Sequence, residues 1–287
     1  MSKIPTYILG TGSIGSGLAR ALSESGHTVT GVWNRRQTPN SELLRRDFEV
    51  CTGDNLERAA HAIENSKVIF IAVSDDAIEQ VSHLLHASTL LAPNTIIAHL
   101  SGCLSSDVLH KAPHIHNGSF HPLAACPNPS AAQDNFRKTF ITIEGDQRAR
   151  AVLTQIAKTL GSQSGYIDAH QKARYHAAAV MASNLMIALL ASAEDEAKAC
   201  GLEGIGVALN ELALGALQRT LEMGISAGLT GPVVRADTSS IKKHLNCLSA
   251  DGKAIYRNLS LRATQIGKER GLNAASIDEL VEILNCP

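Results

Sequence analysis

The chain has 287 residues, 44% of them hydrophobic, and a formal net charge of −1. That allows one large or two ordinary domains with a sizeable core, and gives no electrostatic case for nucleic acid or an acidic membrane surface. Aromatics at 3% also disfavour base-stacking platforms, and six scattered cysteines without a C-x-x-C pair indicate neither a zinc site nor a disulfide framework.

Residues 7–15 read Y-I-L-G-T-G-S-I-G, a short apolar run ending in Gly10, Gly12 and Gly15. An alanine-rich helical pattern over 16–25 follows. The G-x-G-x-x-G spacing between strand and helix is that of a dinucleotide-binding turn. There the first glycine permits the tight turn, the second lets a pyrophosphate approach the backbone, and the third lets helix pack on strand. Thr11, Ser13 and Ile14 complete the phosphate-facing turn, whose free N–H groups open the helix. Residues 28–33 alternate as a second strand and end in Asn34, Arg35 and Arg36. NAD-binding folds place an acidic residue near this point; two arginines instead suit a 2′-phosphate, so the expected cofactor is NADP (NADPH).

A short strand is expected at 47–51, a helix at 55–65 and a buried strand at 67–73. Val73 and Ser74 then lie at the cofactor edge, with Ser74, Asp75 and Asp76 capping a helix over 77–85. Further strands are expected at 95–100, 117–123, 139–144 and 163–167, with 124–138 as a polar loop. Strands and helices alternate up to this point, which predicts an α/β fold with a largely parallel, doubly wound sheet. From 169 no strand pattern returns. One long helix is expected over 169–200, then helices at 205–223, 238–248, 252–270 and 276–284. The domains are therefore 1–168, dinucleotide-binding, and 169–287, all-helical. The uncharged run 177–193 falls just short of a membrane span and reads as a buried core helix. With no cleavable signal at the N-terminus, the expected location is cytoplasmic, without membrane attachment.

A nicotinamide site in such a fold lies at the carboxyl edge of the sheet. On the long helix, Lys172, His176 and Ser183 fall within about 60° of one another, with Asn184 bordering the same face. Lys172 and His176, or Asn184, could protonate a carbonyl or imine as hydride arrives, and the lysine cation would lower the histidine's pKa. Ser101 and Gly102 follow a strand and could bind a substrate anion, and His121 ends another strand nearby. In L-T-G-P-V-V-R-A-D (229–237), Thr230, Arg235 and Asp237 are candidates for substrate binding, Arg235 being suited to a carboxylate. An Arg235–Asp237 structural pair, or Asp237 as a helix N-cap, is the alternative. The remaining histidines lack ligand spacing, so no metal is expected.

These motifs, together with H-L-S-G (99–102), F-H-P-L (120–123) and Y-H-A-A-A-V-M-A-S-N (175–184), resemble a group of two-domain proteins. Its members pair a Rossmann-like N-terminal half with a helical C-terminal half of unknown function. They are related to pyrroline-5-carboxylate reductase, ketopantoate reductase and the β-hydroxyacid dehydrogenases. The resemblance implies an NADP-dependent oxidoreductase with a 6-phosphogluconate-dehydrogenase-like helical domain, dimeric through that domain. It also implies a small carbonyl or imine substrate, with a carboxylate such as ketopantoate among the candidates. In the β-hydroxyacid dehydrogenases a serine-glycine motif binds substrate, and a catalytic lysine is followed four residues later by asparagine. Ser101-Gly102 is similar, whereas Lys172 is followed by His176. A non-catalytic NADP(H)-binding sensor is the alternative from another class, because fold alone does not give function.

Overall fold

The computed structural model describes residues 3–88 and 91–286. The chain divides into two compact units, Met1–Val180 and Met181–Pro287. In the first, strands and helices alternate: β1 (Pro5–Leu9), α1 (Ser13–Glu24), β2 (Thr28–Asn34), α2 (Pro39–Leu44), β3 (Val50–Thr52), α3 (Ala60–Glu64), β4 (Val68–Ile71), α4 (Ile78–Ser88), β5 (Ile96–His99), β6 (His116–Pro122), α5 (Pro129–Asn135), β7 (Phe140–Gly145), α6 (Gln147–Leu160) and β8 (Gln163–Tyr166). The sheet order is β3-β2-β1-β4-β5-β6-β7-β8. Strands β1 to β6 run parallel; β7 is antiparallel to β6, and β8 follows β7. The winding reverses between β1 and β4, so the switch-point crevice opens at their carboxyl ends.

Period-two alternation divides the core between the two faces of the sheet. Ile8, Phe70, Ala98 and Phe120 pack with Leu18, Leu22, Leu153 and Ile156 on one face. Tyr7, Leu9, Ile69, Ile71 and Ile97 pack with Ile63, Ile78 and Leu85 on the other. This alternation directs His99, two residues after Ile97, to the second face. Its register partner is Ser119, and His121 follows Ser119 by two. Three polar side chains on adjacent strand ends are thereby aligned.

The region 124–138 is not wholly loop: α5 lies within it, with Asn128 as its N-cap accepting from Ala131 N at 2.9 Å and Pro129 opening its first turn. It packs so closely on α1 that a Cβ at Gly17 would come within 2.5 Å of Ala132. The expected cap at Ser74 is absent too, since its side chain makes no capping bond.

The single long helix expected over 169–200 is two helices, α7 (Lys172–Ala182) and α8 (Asn184–Ala199). They are separated at Ser183, whose φ of −127° and ψ of −82° leave the helical region. A common face running from Lys172 to Asn184 therefore does not exist. The stretch Ala169–Ala199 is long and apolar enough, by length and composition, to cross a membrane. Contrary to the expected core helix, none of its most apolar window is buried: Leu185 is 54% and Ile187 65% exposed. The remaining helices are α9 (Gly206–Gly228), interrupted at Gly224, α10 (Thr238–Cys247), α11 (Ala250–Glu269) and α12 (Ala274–Asn285). The small core of this unit, Val233, Ile241, Leu245, Leu280 and Leu284, includes no residue of α8 or α9, which is why their apolar side chains stay exposed.

Candidate active site

The glycine turn joins β1 to α1 with a separate steric reason at each glycine. Gly10 has φ +114°, and a Cβ there would lie 2.3 Å from the Ala72 carbonyl and 3.1 Å from Val73 Cγ1. At Gly15 a Cβ would meet the Gly10 carbonyl at 2.2 Å. At Gly12 nothing lies within 4 Å. Gly12 is also the exposed N-cap of α1 and offers no side-chain cap, so the first N–H groups of the helix have no capping side chain. This is a cradle suited to phosphate.

The end of β2 is tied to that turn. Thr11 N donates to Asn34 Oδ1 at 3.3 Å, and Asn34 Nδ2 donates to the Arg36 carbonyl at 2.6 Å. Asn34 thus spends its amide on loop geometry, while Arg35 and Arg36 stay exposed. Beside them a cavity of about 420 Å³ is lined by Trp33, Arg35, Asp54, Gln80, His83 and Leu84.

The next loop is held by Ser101. Its hydroxyl donates to Asp75 Oδ2 at 2.8 Å and accepts from Cys103 N and Leu104 N at 3.1 and 3.0 Å. Its proton and both lone pairs are engaged, so binding a substrate through this oxygen would require giving up one of these bonds. Lys172, 1% exposed, donates from Nζ to the Ser101 carbonyl at 2.8 Å and to Ser119 Oγ at 2.7 Å. Burial pushes its pKa down to about 8, against the opposing pull of Glu144 and Asp75. Lys172 is neither a solvated helix-start lysine nor open to a ligand as it stands.

Beside this buried cation lie three imidazoles. His99, fully buried, accepts from Ser101 N at Nδ1, 3.2 Å away, and its Nε2 has no partner. Burial and then the Lys172 charge push its pKa down to about 3. The same two causes, followed by His176, push His121 down to about 4. His121 Nδ1 is 3.0 Å from Tyr175 Oη, and its ring meets that of His176 edge-on at 5.8 Å between centroids. His176 Nδ1 is buried without a partner. A Cβ on Gly102 would lie 2.5 Å from His176 Nδ1, 2.7 Å from His121 Nε2 and 2.8 Å from His121 Cε1, so both rings crowd the bare face of that glycine. The bare backbone is what lets the two rings close onto one point.

His176, Lys172, Ser101, Gly102 and His121 are thus brought together. Asp75, expected as a helix cap, joins them, as do His99, Ser119 and Tyr175, which were not singled out from the sequence. His99 and Ser119 sit in or beside quoted motifs on predicted strands, so period-two alternation was the available signal. Tyr175 opens a quoted motif, but a residue adjacent to His176 on a helix projects about 100° away, so helical periodicity did not place it beside that histidine. Asn184, Thr230, Arg235 and Asp237 belong to the second unit. There Asp237 caps α10, accepting from Ser240 N at 3.0 Å and Ser240 Oγ at 2.7 Å, which holds its carboxyl below the usual range. Arg235 and Thr230 are exposed, and the Asn184 amide oxygen accepts from Ser183 Oγ. Among the described residues no three His, Cys, Asp or Glu side chains are arranged to hold a metal ion.

Two family models match the sequence. Residues 6–102 match the NADP oxidoreductase, coenzyme F420-dependent, model, and residues 139–263 match a domain of unknown function, DUF2520. No protein of curated function matches. Solved structures share the fold. A protein from Thermotoga maritima superposes with a TM-score of 0.73 at 20% identity, covering 92% of this chain and 99% of its own. A Bacteroides fragilis protein, provisionally named an NADP oxidoreductase, gives 0.68 at 24% over 93% of this chain and 98% of its own. A reductive aminase from Aspergillus terreus, in complex with NADPH and ethyl levulinate, gives 0.57 at 18% over 98% and 99%. Residues 6–102 thus resemble an NADP oxidoreductase domain and residues 139–263 resemble DUF2520, and the Rossmann-like fold is shared with these solved structures.

Proposed function

We propose that this protein is a cytoplasmic NADPH-dependent reductase of a small carbonyl or imine compound. The observation that carries this reading is that an uncapped α1 N-terminus at an open Gly12 and two imidazoles crowding Gly102 both lie past the carboxyl ends of parallel strands of one sheet. The N–H groups of residues 13–15 would hold the pyrophosphate. Arg35 and Arg36 would hold a 2′-phosphate beside the cavity of Trp33, Gln80 and His83. When bound, NADPH supplies hydride. His176, whose Nδ1 is otherwise unpartnered, would hold or deliver a proton at the reducing oxygen or nitrogen, with His121 as its neighbour. Ser101 and Lys172 would keep the loop beneath them in place. The NADPH complex of the reductive aminase supports this chemistry by analogy of fold. An imine or 2-keto acid is the substrate class we favour, ketopantoate included.

We further propose a homodimer through the helical unit. Leu214, Leu217 and Leu221 recur on one side of α9 at 55, 42 and 86% exposure, the kind of apolar stripe a second copy would cover.

The test is NADPH oxidation across 2-keto acids, ketopantoate and cyclic imines, with Arg35→Ala alongside. The variant should weaken NADPH by about tenfold or more while leaving NADH little changed. Equal losses for both cofactors would remove the 2′-phosphate assignment. Tight NADPH binding with no oxidation by any compound would favour a sensor instead.

A further inference from the structure

We propose that Tyr175 is a positioning residue: its hydroxyl donates to His121 Nδ1 and so fixes that imidazole with Nε2–H presented where His176 Nδ1 and Gly102 meet. Tyr175 Oη has two partners, His121 Nδ1 and the Thr142 side chain, and in the proposed arrangement its proton goes to the first. Tyr175 Oη lies 3.0 Å from His121 Nδ1, and the two rings meet edge-on at 5.6 Å between centroids. His121 projects from the carboxyl end of β6 and Tyr175 from the first turn of α7. The contact therefore ties strand to helix and leaves the ring's far nitrogen as its free end.

A neutral imidazole carries one donor and one acceptor nitrogen. The charged and titratable groups facing His121 are Lys172 and His176 from α7 and His99 from β5, besides Tyr175 itself. Burial, and then the neighbouring Lys172 cation, disfavour a positive charge on the ring, so it stays neutral and must choose a tautomer. A phenol donating to Nδ1 forces the proton to Nε2. That N–H and the unpartnered Nδ1 of His176 then both border Gly102, and with Nδ1 unprotonated they offer one donor and one acceptor side by side. A carbonyl oxygen can accept from the first, and an amine N–H can donate to the second. The two rings would thereby have different tasks, His121 polarising the reducible group and His176 exchanging its proton. Only where the substrate lies depends on the reductase reading; the tautomer belongs to the protein itself.

The experiment is ¹⁵N–¹H correlation spectroscopy of the imidazoles in the substrate-free protein, wild type and Tyr175→Phe. We expect His121 as the Nε2–H tautomer in the wild type. In Tyr175→Phe its titration should move up by about one pH unit, because Nδ1 is free to take a proton. With a substrate from the panel, Tyr175→Phe should lose about tenfold in kcat with KM for NADPH unchanged. A wild-type ring protonated at Nδ1, or a titration unmoved by the substitution, overturns the proposal even if the protein proves to be a reductase. Should Tyr175→Phe fail to fold, His121→Gln and His121→Asn decide. Glutamine keeps a donor near the Nε2 position and should retain more turnover than asparagine, and the reverse order refutes the assignment.

Discussion

Replacing Gly102 by alanine tests whether the point where the two imidazoles meet is functional. The backbone there is not left-handed, so alanine brings no torsional strain, and the whole effect is steric. Its Cβ would lie 2.5 Å from His176 Nδ1, 2.7 Å from His121 Nε2 and 2.8 Å from His121 Cε1. Ordinary contact needs about 3.5 Å, so each ring must retreat by about 0.7–1 Å. His121 is restrained by Tyr175 at its other nitrogen, and His176 by its helix. Overpacking of this kind costs about 1–3 kcal/mol of stability, which a folded chain survives. A displacement of about 1 Å at the reacting group costs about 100-fold in turnover. Urea denaturation reads the first quantity, and NADPH oxidation with a panel substrate reads the second. Gly12→Ala is the comparator: with nothing within 4 Å its methyl harms no packing but occupies the phosphate approach. It should keep stability and lose NADPH affinity, the opposite pattern to Gly102→Ala. Wild-type turnover in Gly102→Ala, with the His121 and His176 resonances unmoved, would refute the placement of chemistry at this point.

Acid should unfold the protein through its neutral histidines. His99 and His121 have folded pKa values of about 3 and about 4, below the 6.5 of the unfolded chain, and His27 is lowered as well. Below about pH 6.5 the unfolded state therefore binds protons that the native state refuses. Stability falls by about 1.4 kcal/mol per pH unit for each such histidine, until the folded pKa is reached. Urea midpoints measured downward from neutral pH should show this slope. His99→Asn, which keeps an acceptor for Ser101 N, should flatten it, and a pH-independent midpoint would contradict the buried-neutral assignment. Separately, Leu221→Glu on α9 should convert the proposed dimer to monomer in sedimentation; an unchanged mass distribution would remove this stripe from any interface.

The fold was legible because its signals are local. Eight apolar or alternating runs correspond to the eight strands, and the glycine spacing alone marks the turn. What escaped depended on partners distant in sequence. The break at Ser183 lies inside a continuous alanine-rich helical pattern, and no glycine or proline marks it. The α5 helix was missed although Asn128-Pro129 is an N-cap followed by proline at the first helical position, a signal present in the sequence. At the site, residue types were legible and their tasks were not. Ser101 and Lys172 look like a substrate hydroxyl and a proton donor. Their commitments, to Asp75 26 residues earlier and to Ser119 53 residues earlier, exist only once β4, β5 and β6 lie side by side.

Those commitments explain how a buried lysine can shape chemistry without touching substrate. An ammonium held at 1% exposure is costly unless its donors are satisfied, and here two are, by the Ser101 carbonyl and Ser119 Oγ. The same Ser101 passes its hydroxyl proton to Asp75, which follows β4 beside the turn where Gly10 abuts Ala72. One hydrogen-bonded line therefore runs from the cofactor-side loop, through the loop after β5, to the first turn of α7. The lysine's charge then acts along a second route, disfavouring protonation of His99 and His121. On the proposed reading, a neutral imidazole is needed at His121, because only a neutral ring has a tautomer for Tyr175 to select. Buried and bonded to Ser101 and Ser119, the cation does not reach substrate, but it is well placed to keep its neighbours uncharged. The loops that meet around it are the ones that must agree in position for hydride and proton to arrive at the same bond.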